Sequence, residues 1–173
     1  MLYKKSACIE REVKDKLQSL LPDGFKVMEA SKYTGNEKEF PPEEKLSQPM
    51  PDFYIEREGI KIAALEVSAG VPGWTYAKSK YLNAGERKVK TADRERANFP
   101  SYMIYVLEIE PKDKPCHFLW IHFDIIRECP KELERKGRGY MVTEYIYHID
   151  IKLWNLGMES FIEELKRPVL SYS

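Results

Sequence analysis

The sequence predicts an α/β fold, a mixed β-sheet flanked by helices, with extra strands and a helix at the C-terminal end. Three observations point there. An apolar stripe of helical period runs through residues 6–21. An alternating, then continuously apolar, hairpin occupies 51–70. A nearly all-apolar strand at 101–109 follows a short charged helix at 86–97. The chain has 173 residues, enough for one domain with a proper core and too few for two comfortable ones. Lys plus Arg equals Asp plus Glu at 28 each, so whole-chain charge names no partner and any nucleic acid must meet a local patch. No apolar run approaches spanning length, and the N-terminal stretch MLYKKSACIERE lacks a signal-peptide core. Cys8, Cys116 and Cys129 are odd in number and unpatterned, as expected of an intracellular, reduced protein. Scarce Gln with abundant charge is a thermophile-like composition.

In chain order, Ser6 is a fair N-cap for the first helix, and Ile9, Val13, Leu17, Leu20 and Leu21 recur at helical spacing until Pro22-Asp23-Gly24 stops it. At 100° per residue Glu10 falls inside that stripe, whereas Glu12, Asp15 and Lys16 point to solvent. Taken alone, the position of Glu10 is better explained by snorkelling, or by pairing with Lys14. FKVMEAS (25–31) reads as a strand, and the polar, proline-bearing segment 32–50 as a long loop of the kind that is functional or mobile.

The hairpin is the most informative stretch. PDFYIE alternates, Gly59 supplies a tight turn, and IKIAALEVS returns as a strand buried on both faces. With a loop of Glu58-Gly59-Ile60, Arg57 faces Lys61 and Asp52 stands opposite Glu66. A two-residue loop shifts that pairing by one. Opposed residues on antiparallel strands have Cβ atoms ~5 Å apart, so two carboxylates there repel unless a cation separates them. Mg²⁺ is the usual resident, since it wants hard oxygen ligands. A carboxylate at a strand start after Pro is commonly only an exposed strand end. Glu66, inside IAALEV, is harder to dismiss because an unpaired charge there is expensive.

Residues 70–85 read as irregular. From Lys78 to Arg96 the cations Lys78, Lys80, Arg87, Lys88, Lys90, Arg94 and Arg96 outnumber the acids Glu86, Asp93 and Glu95. That surplus is the best local candidate for a phosphate-binding face, although a solvated helix has the same composition. KDKP (112–115) is a turn, 117–126 and 139–151 read as strands separated by the charged PKELERKGR, and 158–167 closes the chain as a helix. His117 and His122, an odd number apart on one strand, face opposite ways and cannot share a metal. Cys116, His117 and Cys129 lack zinc spacing. No P-loop, G-x-S-x-G or GxGxxG occurs, so no nucleotide cofactor is expected.

This order of elements resembles the PD-(D/E)xK nuclease core, with Pro51-Asp52 as PD and Glu66-Val67-Ser68 in the E-x-K slot. KSACIEREV (5–13) is similar to the opening of archaeal Holliday-junction resolvases, K-G-x-x-x-E-R-E-[LI]. The resemblance covers about residues 5–107, leaving 108–173 as an extension within a single domain. It implies a restriction-endonuclease-like sheet and a Mg²⁺- or Mn²⁺-dependent DNA endonuclease, structure-specific in the manner of resolvases, that works as a homodimer. It implies that Asp52, Glu66 and the Val67 carbonyl bind the metal, with Glu10, the first Glu of ERE, as an active-site residue. Ser68 departs from the pattern, because a serine cannot supply the family lysine's charge. Variants with a displaced lysine resemble E-V-[ST]-G followed by a helix with K-[VI]-x-x-A. Lys88, in KVKTA, is then the first choice, with Lys90, Lys80 and Lys78 behind it. Lys78, Lys80, Lys90 and Arg94 are expected to bind nucleic acid. The alternatives are a non-catalytic nucleic-acid-binding or structural relative, and an RNA substrate.

Overall fold

The computed structural model describes residues 2–30, 50–70, 79–107, 117–136 and 142–167. Lys78, Cys116, most of the 32–50 loop and the KDKP turn lie outside the described residues. The described elements are helix α1 (Leu2–Leu20), strands β1 (Phe25–Glu29), β2 (Phe53–Arg57), β3 (Ile60–Ala69) and β4 (Tyr81–Gly85), and helix α2 (Glu86–Glu95). Then come β5 (Ser101–Leu107), β6 (His117–His122), α3 (Phe123–Arg127), β7 (Lys131–Lys136), β8 (Val142–Asp150), β9 (Asn155–Leu156) and helix α4 (Met158–Lys166). A six-stranded mixed sheet has the order β1-β2-β3-β5-β6-β9, with β3 and β5 parallel and the other pairs antiparallel. A second, antiparallel sheet has the order β4-β8-β7.

Strand alternation assigns the two faces of the large sheet. Phe53, Leu65, Val67, Ile104 and Trp120 join Leu17 of α1 and Phe161 of α4 in one core. Met103, Tyr105, Leu119 and Ile121 point the other way, onto Val89 and Ala92 of α2, Phe123 of α3, and Leu82, Ala84, Tyr147 and Ile149 of the small sheet. Phe161 is fully buried, with its ring 5.4 Å from those of both Tyr102 and Trp120. Phe161→Ala is expected to cost about 3–5 kcal/mol, through lost transfer energy plus the cavity left behind. Chemical denaturation measures it, and a loss under about 1 kcal/mol would show that α4 is peripheral.

Several expected boundaries move. Helix α1 starts at Leu2 rather than Ser6, because no Gly or Pro interrupts the preceding residues. β1 ends at Glu29 rather than Ser31, and α2 ends at Glu95 rather than Ala97. The stretch 117–126 is not one strand. His122 Nδ1 accepts from Asp124 N at 3.0 Å and caps α3, in which Phe123 and Ile126 turn inward. β4 was expected to be irregular, yet Leu82 and Ala84 are buried while Tyr81 and Asn83 are exposed. The charged separator 131–136 is an edge strand, paired on one side only, with β8. Both are short strands; β4 is held by a partner remote in sequence, and β7 by the strand that follows it.

The hairpin turn is Glu58-Gly59, with φ of 51° and 79°, the positive pair that a two-residue turn of right-handed twist requires. Arg57 therefore faces Ile60 rather than Lys61. A bulge between the Ile55 and Glu56 pairs then inserts one extra residue, Ile62, in β3 and restores Phe53↔Leu65. Two one-residue shifts cancel, and Asp52 sits one step beyond that pair, at the level of Glu66.

Candidate active site

The site forms where β2 begins, because a strand start leaves Asp52 free to turn its carboxylate across to β3. Asp52 N donates to Leu65 O at 3.0 Å, and Asp52 Oδ2 accepts from Val67 N at 2.8 Å. Glu66 and Ser68 alternate onto the sheet face that α2 covers, in register with Met103 and Tyr105. The glutamate is 7% exposed. Lys88, in the first turn of α2, reaches back to β3: its Nζ donates to Val67 O at 3.0 Å and lies 3.2 Å from Glu66 Oε2. Asp52, Glu66, Val67 and Lys88 thus come together from three elements.

Electrostatics follow from burial. Burial pushes the Glu66 carboxyl up to about 8; Lys88 opposes the shift, while Asp52 adds to it by charge and hydrogen bonding. Burial works against the Lys88 ammonium, but Glu66 and Asp52 outweigh it and raise its pKa above the usual lysine value. Tyr105, whose phenol burial pushes up, feels the Lys88 charge. It was not singled out from sequence, although alternation through Met103, Tyr105 and Leu107 places it on the α2 face.

Glu10 lies on α1, against the opposite face from α2, and makes no hydrogen bond to Asp52 or Glu66 among the described residues. Its carboxyl is nonetheless raised to about 7, by burial first and then by Asp52, with Lys88 lowering it and Glu29 raising it. Its Oε2 is shut off from solvent without a hydrogen-bond partner. Lys14, the partner considered for it, instead pairs with Glu29 at 3.3 Å. Glu10 is therefore coupled to the cluster through charge rather than contact.

The basic surplus does not gather at this site. Lys90 is exposed and pairs with Glu86 at 3.8 Å; two residues from Lys88 on a helix, it points away. Lys80 and Arg94 are exposed, and Arg94 acts on Tyr54 at the other end of α2. Among the described residues, Lys88 alone of these cations contacts Glu66 or Val67. His117 and His122 stand opposite Leu107 and Tyr102, on different faces, as their spacing predicts.

The donor set suits a hard divalent cation. Two carboxylates at adjacent positions and a backbone carbonyl offer only oxygen ligands, and the orphaned, buried Glu10 carboxyl adds negative charge to the cluster.

No protein-family model and no curated protein matches the chain. Among solved structures, the chain is similar to that of Archaeoglobus fulgidus Hjc, a Holliday junction resolvase from an archaeal hyperthermophile. The match has a TM-score of 0.49 and 16% identity, and covers 91% of this chain and 98% of that one.

Proposed function

We infer that the chain is a metal-dependent DNA endonuclease hydrolysing phosphodiester bonds. The observation that carries this reading is Lys88, which brings a cation from α2 to Glu66 and Val67 on the strand where Ser68 supplies none. Asp52 and Glu66, with the Val67 carbonyl, would hold Mg²⁺ or Mn²⁺. Such an ion, when bound, neutralises the phosphate and makes water acidic enough to attack at neutral pH. The chain's own residues do the rest. The hydrogen bond from Val67 N holds the Asp52 carboxylate against β3. The Lys88 ammonium faces negative charge developing on the phosphate, in a pocket of low dielectric. Glu10, with its pKa near 7, is matched to hold or release a proton at working pH.

A structural reading is favoured by one feature of the same cluster: Lys88 is already satisfied internally by Glu66 and Val67. Cleavage assays over branched and linear DNAs, with Mg²⁺, Mn²⁺ or EDTA, separate the two. Metal-dependent cleavage of at least one DNA is expected. Binding without cleavage under every metal would favour the structural relative, and cleavage confined to RNA would reassign the substrate. DNA affinity should fall with salt at about −0.9 in log–log slope per phosphate contacted. A flat salt response would count against a backbone-binding surface.

A further inference from the structure

We propose a second, separate cation site on the small sheet, formed by Glu132, Glu134 and His148, for a first-row divalent transition metal such as Zn²⁺. Glu132 and Glu134 are two residues apart on β7, so they share a face. His148 of β8 joins them across the pairing that sets Glu132 against Ile146. Its Nε2 lies 3.6 Å from Glu132 Oε2 and 3.6 Å from Glu134 Oε1. One ligand atom from each residue lies within 4.8 Å of the others. Imidazole nitrogen and carboxylate oxygen each bind Zn²⁺ at about 2.0–2.2 Å, so two ligands of one tetrahedral ion stand roughly 3.4 Å apart.

A second observation is independent of that spacing. His148 Nε2 is closed to solvent and has no hydrogen-bond partner, a costly state for a polar atom unless something binds it. Charge points the same way. Glu134 directly opposes Glu144, an unfavourable like-charge pair. Glu144 rests over Gly85, where a Cβ would stand 2.5 Å from its Oε1, beside the N-terminus of α2, and the helix dipole favours it there. Glu132 and Glu134 have no such relief: among the described residues no lysine or arginine pairs with either. Lys131, next to Glu132 in sequence, turns to the other face, over the Tyr145 and Tyr147 rings. The mixed nitrogen and oxygen ligands select a transition ion over Mg²⁺, and Glu132, 76% exposed, leaves an open side for water to complete the coordination.

The test is calorimetric titration of Zn²⁺ into the full chain, with Co²⁺ absorption as a spectroscopic probe. About one equivalent is expected to persist in Asp52→Asn, which alters the other carboxylate cluster. That equivalent should weaken at least about tenfold in His148→Ala, since changing even a group behind a ligand typically costs about 10–100-fold. Glu132→Gln with Glu134→Gln should act alike and covers the case in which His148→Ala fails to fold, which circular dichroism reports. No Zn²⁺ binding, or binding unchanged by both sets of substitutions, would overturn the site and leave the three side chains as a metal-free surface cluster. An equivalent lost in Asp52→Asn but kept in His148→Ala would place the ion at the β2–β3 carboxylates and overturn it equally.

Discussion

Lys88→Met is expected to lower metal-dependent DNA cleavage by about 10²–10³-fold, the usual loss on removing one group that stabilises transition-state charge. Methionine keeps most of the apolar stem on α2 and removes the ammonium that Glu66 and Val67 share. The carboxyl of Glu66, already raised to about 8, then takes a proton more readily, which limits the damage to folding that an unpaired buried charge would cause. Ser68→Lys should recover part of the loss in the Lys88→Met background. Ser68 alternates onto the same face as Glu66, beside Tyr105, so a lysine there points at the same cluster. Single-turnover cleavage rates measure both effects. Full activity in Lys88→Met would overturn the role assigned to Lys88.

Divalent ions are expected to raise the thermal midpoint of the wild type, and to do so far less in Asp52→Asn. At a concentration one hundred times the Kd, one bound ion contributes about 2.7 kcal/mol, or roughly 5–10 °C for a chain of this size. The pH dependence has a defined sign. Glu66 and Glu10 bind protons more tightly in the folded protein than in the unfolded chain, with values moved from 4.5 to about 8 and about 7. Stability in EDTA should therefore be greatest below about pH 4.5 as far as these two groups are concerned, and should fall as pH climbs toward 8. Saturating Mg²⁺ should flatten that fall, because it replaces the protons as counter-charge. Thermal melts across pH 5–8, with and without Mg²⁺, decide it. Identical curves would argue against a cation at Asp52 and Glu66.

Glu66 and Lys88 show how far sequence reasoning carried. A glutamate inside IAALEV was legible from its apolar surroundings, Lys88 was singled out only by the resemblance to displaced-lysine variants, and α2 does bring that lysine to that strand. Asp52 was placed opposite Glu66 by a count that assumed the wrong turn. The structure reaches the same level through a two-residue turn and a compensating bulge, which no period-two pattern can show. Glu10 fell on the apolar stripe as its angle required, but only the packing of α1 and α2 on opposite faces makes its coupling to the cluster one of charge.

Local pattern, then, determined the α/β class, the hairpin and most strands of the large sheet, because each of those elements buries its own apolar residues at a readable period. In the small sheet β8 was legible as the strand read over 139–151, but tertiary structure alone decided β4 and β7. β4 is five residues long and pairs with β8, far along the chain, while β7 is a charged strand without apolar alternation that pairs with its sequence neighbour β8. The convergence of Glu132, Glu134 and His148 was likewise closed to sequence. The second glutamate and the histidine are fourteen positions apart, and only antiparallel register brings their side chains to one face.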